Sequence, residues 1–156
     1  WLIGASRDSL LLSPYSPTAS NDGSTRFRPF TVTQIGMDGT VRRTITGVNR
    51  VYPGGWLQRF SDPAAAATLA ASTAGKDDEQ TRAAWDALPT QIVDLNSGST
   101  HDLTGGRAES VGVPTGPGLL ISHEAADGDG SPQQFWLSAD DDGHPHTENL
   151  EQFTSK

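Results

Sequence analysis

The chain has 156 residues, 34% of them hydrophobic, with 17 Gly, 10 Pro, no Cys and a formal net charge of −8. The lack of cysteine excludes disulfides, thiol catalysis and thiolate metal sites, and the acidic balance disfavours nucleic acid and anionic membranes as partners. No apolar run approaches the roughly 18–20 residues needed to span a bilayer, while the glycine and proline content suits short strands joined by many turns.

The first predicted strands are Trp1 to Ser6 and Leu10 to Ser13, joined by the turn Arg7-Asp8-Ser9. After a polar stretch, Phe30 to Met37 and Val41 to Thr46 form a hairpin around Asp38-Gly39, a pair that tolerates positive φ. Asn49 to Tyr52, Pro53-Gly54-Gly55 and Trp56 to Ser61 then repeat the strand, turn, strand order. Residues 62–89 are different. Asp62-Pro63 suits an N-cap with proline at the first helical position, Ala64 to Ala71 are good helix formers, and a second helical segment covers Arg82 to Leu88.

Strands resume with Gln91 to Leu95, a Ser97-Gly98 turn, and Leu103-Thr104-Gly105. The last stretch offers Glu109 to Val113, Leu119 to Ser122 and Gln134 to Leu137. The acidic turn Asp140-Asp141-Asp142-Gly143 and a strand ending at Leu150 follow.

A repeat runs through these elements. Gln34-Ile35, the Gly39 turn and Ile45-Thr46-Gly47 return as Gln91-Ile92, the Gly98 turn and Leu103-Thr104-Gly105. The turn glycines lie 59 residues apart and the closing glycines 58, with a weaker third copy from Gln134 to Leu150. Near-constant spacing of this size predicts a repeat architecture. The chain thus divides into units 1–47, 48–105 and 106–153, each of four strands, within one repeat domain spanning 1–156.

The order apolar-Ser, then Gln-Ile before a glycine turn, then Leu-Thr-Gly resembles the blades of TolB-type, WD-like β-propellers. The resemblance implies an all-β fold of three four-stranded antiparallel blade-like units, a β-propeller arc or fragment with a partly helical insertion at 62–89. It further implies an extracytoplasmic location, periplasmic or secreted, in a bacterial setting. Three blades are fewer than the four to eight that usually close a ring. Either further blades or a second copy complete it, or the units are parts of one twisted sandwich. Since the chain starts at Trp1 rather than Met, we expect sequence upstream of it, such as a signal peptide or lipid anchor.

Alternation within the strands places Ile35, Ile92, Val41, Leu12, Leu120 and Trp136 in the core between sheets. The connections 14–29, 62–89 and 123–133 are expected to leave from one rim, where repeat proteins usually bind. The expected contact residues there are Tyr15, Arg26, Arg28, Trp85 and His123, since aromatic and arginine side chains dominate interface hot spots.

Two features invite a metal or catalytic reading. Asp127-Gly128-Asp129-Gly130 starts like a calcium loop but lacks the closing glutamate, so Asp127 and Asp129 are better explained as a solvated turn. No nucleophile elbow, phosphate loop or dinucleotide fingerprint occurs, and no cofactor is expected. The function expected from the sequence is non-catalytic: a loop rim that binds a protein or glycan. The alternative is a hydrolase or lyase with a rim or channel site around His123, Asp127 and Asp129, because propellers host both roles. Charge is unevenly spread. Residues 1–47 carry a net +2 and residues 106–156 a net −7.

Overall fold

The structure, a computed structural model, describes residues 1–14, 29–76, 78–103, 106–109, 118–123, 133–139 and 144–150. Seven strands follow one another in space as in sequence: β1 (Leu2–Ala5), β2 (Ser9–Leu12), β3 (Phe30–Gly36), β4 (Val41–Tyr52), β5 (Trp56–Phe60), β6 (Thr90–Asp94) and β7 (Thr100–Asp102). Every neighbouring pair is antiparallel. A second, four-stranded antiparallel meander comprises β8 (Gly106–Glu109), β9 (Gly118–His123), β10 (Gln133–Ala139) and β11 (Pro145–Asn149).

This architecture corrects the expected propeller arc of three separate blade-like units. The strands lie close to where the sequence places them, but the fourth strand of the first unit and the first strand of the second are one 12-residue strand, β4. Hydrogen bonding therefore continues across the 47/48 boundary into a seven-stranded sheet, and neither sheet closes on itself. The described residues show no propeller.

The reason lies at Gly47. Phe30 pairs with Val48 but Val32 with Ile45, so β4 carries an extra residue around Thr46-Gly47. A second irregularity follows between Val48 and Arg50 on the β5 side. Gly47 has φ +72, the left-handed conformation that a bulge glycine supplies without strain. The Thr46-Gly47 pair bends the strand instead of ending it. The first half of β4 pairs with β3 and the second half with β5.

The bend folds the seven-stranded sheet on itself. Leu11, Val32 and Ile45 of the first arm share a buried cluster with Val48, Leu57, Val93 and Leu95 of the second. The other face of the second arm offers Tyr52, Trp56 and Ile92, with Leu103 just past β7, to Ala108, Leu119, Ile121 and Leu137 of the four-stranded sheet. The Tyr52 hydroxyl spans that junction, 2.8 Å from the Ala108 carbonyl and 3.0 Å from Gln58 Oε1. The second arm is thus covered on both faces.

The insertion between β5 and β6 forms two helices, α1 (Pro63–Ser72) and α2 (Glu79–Asp86). Asp62 caps α1 by accepting from the Ala64 and Ala65 amides at 2.9 and 3.0 Å. Asp78 caps α2 through the Thr81 amide at 2.7 Å. Both helices are short, so packing has to hold them. Ala66 and Trp85 are buried with Phe60 at the end of β5.

Candidate interaction surface

Strand register determines which side chains share a face, because residues directly opposite in an antiparallel pair project to the same side. In the first arm, Leu11, Gln34 and Arg43 stand opposite one another, as do Val32 and Ile45, and these face the second arm. The intervening positions face outward. Leu2 pairs with Leu12, Leu12 with Thr33 and Thr33 with Thr44, while Ala5 pairs with Leu10, Leu10 with Ile35 and Ile35 with Val41. The outward face is therefore aliphatic and threonine-lined, and its paired positions carry no charge.

This face is open. Leu2 is 64% exposed, Leu10 36% and Val41 63%, with Trp1 and Met37 exposed at its margins. These five are the exposed large hydrophobics among the described residues, and all lie in the first 41 positions. Scattered exposed apolar side chains are ordinary on proteins, but a contiguous group is not. At the hairpin end, Arg42 pairs with Asp8 at 2.7 Å, giving the face a polar rim.

The expected core is therefore largely displaced. Ile92 is fully buried, but Ile35, Leu12, Leu120 and Trp136 are only half-buried and Val41 is exposed. For Val41 the cause is a bulge: Gln34 pairs with Arg43 and Ile35 with Val41, so Arg42 is the extra residue and Val41 switches sides. For the others, apolar residues occupy both strand faces, and the inward set is Leu11, Leu119 and Leu137.

The four-stranded sheet has an outward face too. Leu119, Ile121 and Leu137 point inward, so Leu120, Ser122, Gln134 and Trp136 point away, with Leu120 paired to Trp136. The Trp136 indole packs against Gly118, where an added Cβ would lie 2.5 Å from two of its ring atoms.

Of the contact residues expected from sequence, Tyr15, Arg26 and Arg28 lie outside the described residues, as do Asp127 and Asp129. Trp85 is 4% exposed and packs on Phe60 with ring centroids 5.4 Å apart, so it anchors α2. His123 is half-buried at the end of β9, edge-on to Phe135 with ring centroids 5.9 Å apart. It lies near His101 of β7, whose pKa is held below the ordinary 6.5 by burial and then by the His123 imidazole, against an opposing pull from Asp102.

Sequence alone missed Leu2, Leu10 and Met37. The available signal was the run Leu10-Leu11-Leu12, apolar on both faces, as in strands that sheets cover on both sides.

The expectation that 14–29, 62–89 and 123–133 share one rim falls largely on residues outside those described, 15–28 and 124–132 among them.

Among the described residues, no group of three or more His, Cys, Asp or Glu is placed to hold a metal ion. No helix among them is long and apolar enough to cross a membrane. No protein-family model matches the chain, and neither does any curated protein or solved structure.

Proposed function

We propose that this chain is a non-catalytic binding module that docks a protein partner on the outward face of β1–β4. The observation that carries this reading is the open aliphatic face of Leu2, Leu10 and Val41, flanked by half-buried Leu12 and Ile35. Burying such side chains releases on the order of 25 cal/mol per Å² of apolar area, which is the main driving force of protein association. A glycan would need aromatic planes and fixed polar groups, whereas this face presents aliphatic and threonine side chains. A protein surface is the better match.

Photo-crosslinking in cells that make the protein tests the reading. A photoreactive residue replacing Leu10 or Val41 should yield an adduct with a protein, while one replacing exposed Glu79 on α2 should not. Equal labelling from all three positions, or none from Leu10 and Val41, would remove the assignment.

A further inference from the structure

We infer that the partner engages through an extended segment that pairs with the open edge of β1 and adds one strand to the seven-stranded sheet. This rests on the docking role proposed above and names the part of the partner that docks.

The backbone of β1 determines what fits there. The Trp1 amino group donates to the Ser13 carbonyl at 2.7 Å, and the Ser13 amide donates to the Trp1 carbonyl at 2.9 Å. At the other end of the strand, the Ser6 amide donates to the Ser9 carbonyl at 2.9 Å. In an antiparallel ladder, the pairs next to hydrogen-bonded pairs turn their N–H and C=O groups away from each other. Those neighbours are Leu2, opposite Leu12, and Ala5, opposite Leu10. Both therefore aim a donor and an acceptor away from β2. Among the described residues β1 ends the sheet, and Leu2 and Ala5 are exposed. A helix has spent its backbone groups on itself, whereas an extended chain offers the complementary donors and acceptors.

This edge also lacks the chemistry that guards others. Charge and proline are common means of blunting a sheet end. At the far end of the same sheet, β7 carries His101 and Asp102. In the second sheet, the end strand β11 carries Pro145 and an exposed His146–Glu148 pair at 3.5 Å. From Trp1 to Ser6, β1 has neither charge nor proline. Its outward side chains, Leu2 and Ala5, continue across the sheet into Leu12 and Leu10. The segment that fits is thus aliphatic or β-branched at alternate positions, so that its own outward side chains pack beside them.

Photo-crosslinking from Leu10 in cells, repeated on an Ala5→Pro background, tests the pairing. Proline is tolerated on an edge strand where its nitrogen faces solvent. At position 5 it deletes the outward N–H and leaves the Ser6–Ser9 bond and the Leu2, Leu10 and Val41 side chains in place. The partner's carbonyl then loses its donor, and the adduct should fall by about tenfold. An undiminished adduct from a variant that remains folded by circular dichroism overturns the inference and leaves the docking role standing.

A second measurement does not depend on the proline. Leu2 and Ala5 lie roughly 7–10 Å apart along the edge, a distance that a strand covers in about two or three residues and a helix in about five to seven. Photoreactive residues placed at Leu2 and at Ala5 in turn should therefore attach to positions two or three apart in one segment of the same protein. Attachment points more than three residues apart, or in separate segments, overturn edge pairing. So do adducts from Leu10 with none from Leu2 or Ala5. No adduct from any of the three removes the docking role as well.

Discussion

The Gln34 side chain on β3 donates from Nε2 to the Leu95 carbonyl just beyond β6, at 3.4 Å. In a flat sheet those strands would lie three spacings apart, roughly 14 Å. The bond exists because β4 bends and lays the first arm over the second. Gln34 also donates to Ser9 Oγ at 2.6 Å and accepts from Arg43 Nε at 2.6 Å, while Arg43 reaches the same Leu95 carbonyl at 2.7 Å. With Gln34 only 1% exposed, this is a satisfied polar bridge inside an otherwise apolar junction.

Gln34→Met should therefore destabilise the fold although it preserves volume and adds apolar surface. It leaves Arg43 Nε and Ser9 Oγ without their buried partner, a loss of about 1–3 kcal/mol. Arg43→Met should cost a similar amount, and the double variant less than the sum of the two, because both share one network. Urea denaturation of the four proteins checks this. Strict additivity would show that the two side chains do not act as one network.

Gly47 offers a second test of the bend. An added Cβ there would lie 2.9 Å from Pro63 Cβ and 3.2 Å from its Cα, and φ is +72. Gly39, in the β3–β4 turn, has φ +83 with nothing within 4 Å. Gly39→Ala should cost about 1–2 kcal/mol from backbone strain alone. Gly47→Ala should cost that and about 1–3 kcal/mol more, because α1 has to move away. Equal losses in thermal unfolding would mean that the proline contact is easily relieved.

How much of this was legible beforehand follows from what each residue signals locally. Asp38-Gly39 and Ser97-Gly98 marked two hairpins, since their chemistry demands a turn, and both glycines adopt positive φ. Asp62-Pro63 marked the start of α1 for the same reason. Asp142-Gly143, the third expected hairpin turn, lies outside the described residues. Thr46-Gly47 misled, because a glycine that bends a strand and one that ends it look alike in sequence. The inward and outward sets were misassigned wherever apolar residues occupy both faces, as at Leu10-Leu11-Leu12. Buried Gln34 served only as a repeat marker, since nothing local shows that Leu95 will arrive beside it. The proposed docking face was hidden for the related reason that exposure depends on which layer covers which.

The Trp85–Phe60 contact, with ring centroids 5.4 Å apart, ties the helical insertion to the sheet. Trp85→Ala should cost about 3–5 kcal/mol, since it empties the cluster that holds both helices to β5. Asp78→Ala removes only the α2 cap and should destabilise by a smaller amount. Backbone hydrogen exchange should show lost protection over both helices in the first variant, and over the first turn of α2 in the second. Unchanged protection of α1 in the tryptophan variant would show that α1 docks without α2.

The last prediction concerns pH. His101 of β7 is held below its ordinary value of 6.5, first by burial and then by the His123 imidazole, although Asp102 opposes the shift. Above that value the imidazole is neutral in both folded and unfolded chains, so it contributes no pH dependence. As pH falls through 6.5 toward the depressed folded value, the unfolded chain binds a proton that the folded chain resists. Stability therefore drops across that window and levels off below it, where both states are protonated. His101→Gln removes the site and should flatten the profile over the same range. Urea midpoints at a series of pH values from about 7.5 down to about 5, above the main carboxylate range, provide the comparison. A variant that loses stability on acidification as steeply as the unmodified chain would place the acid sensitivity elsewhere.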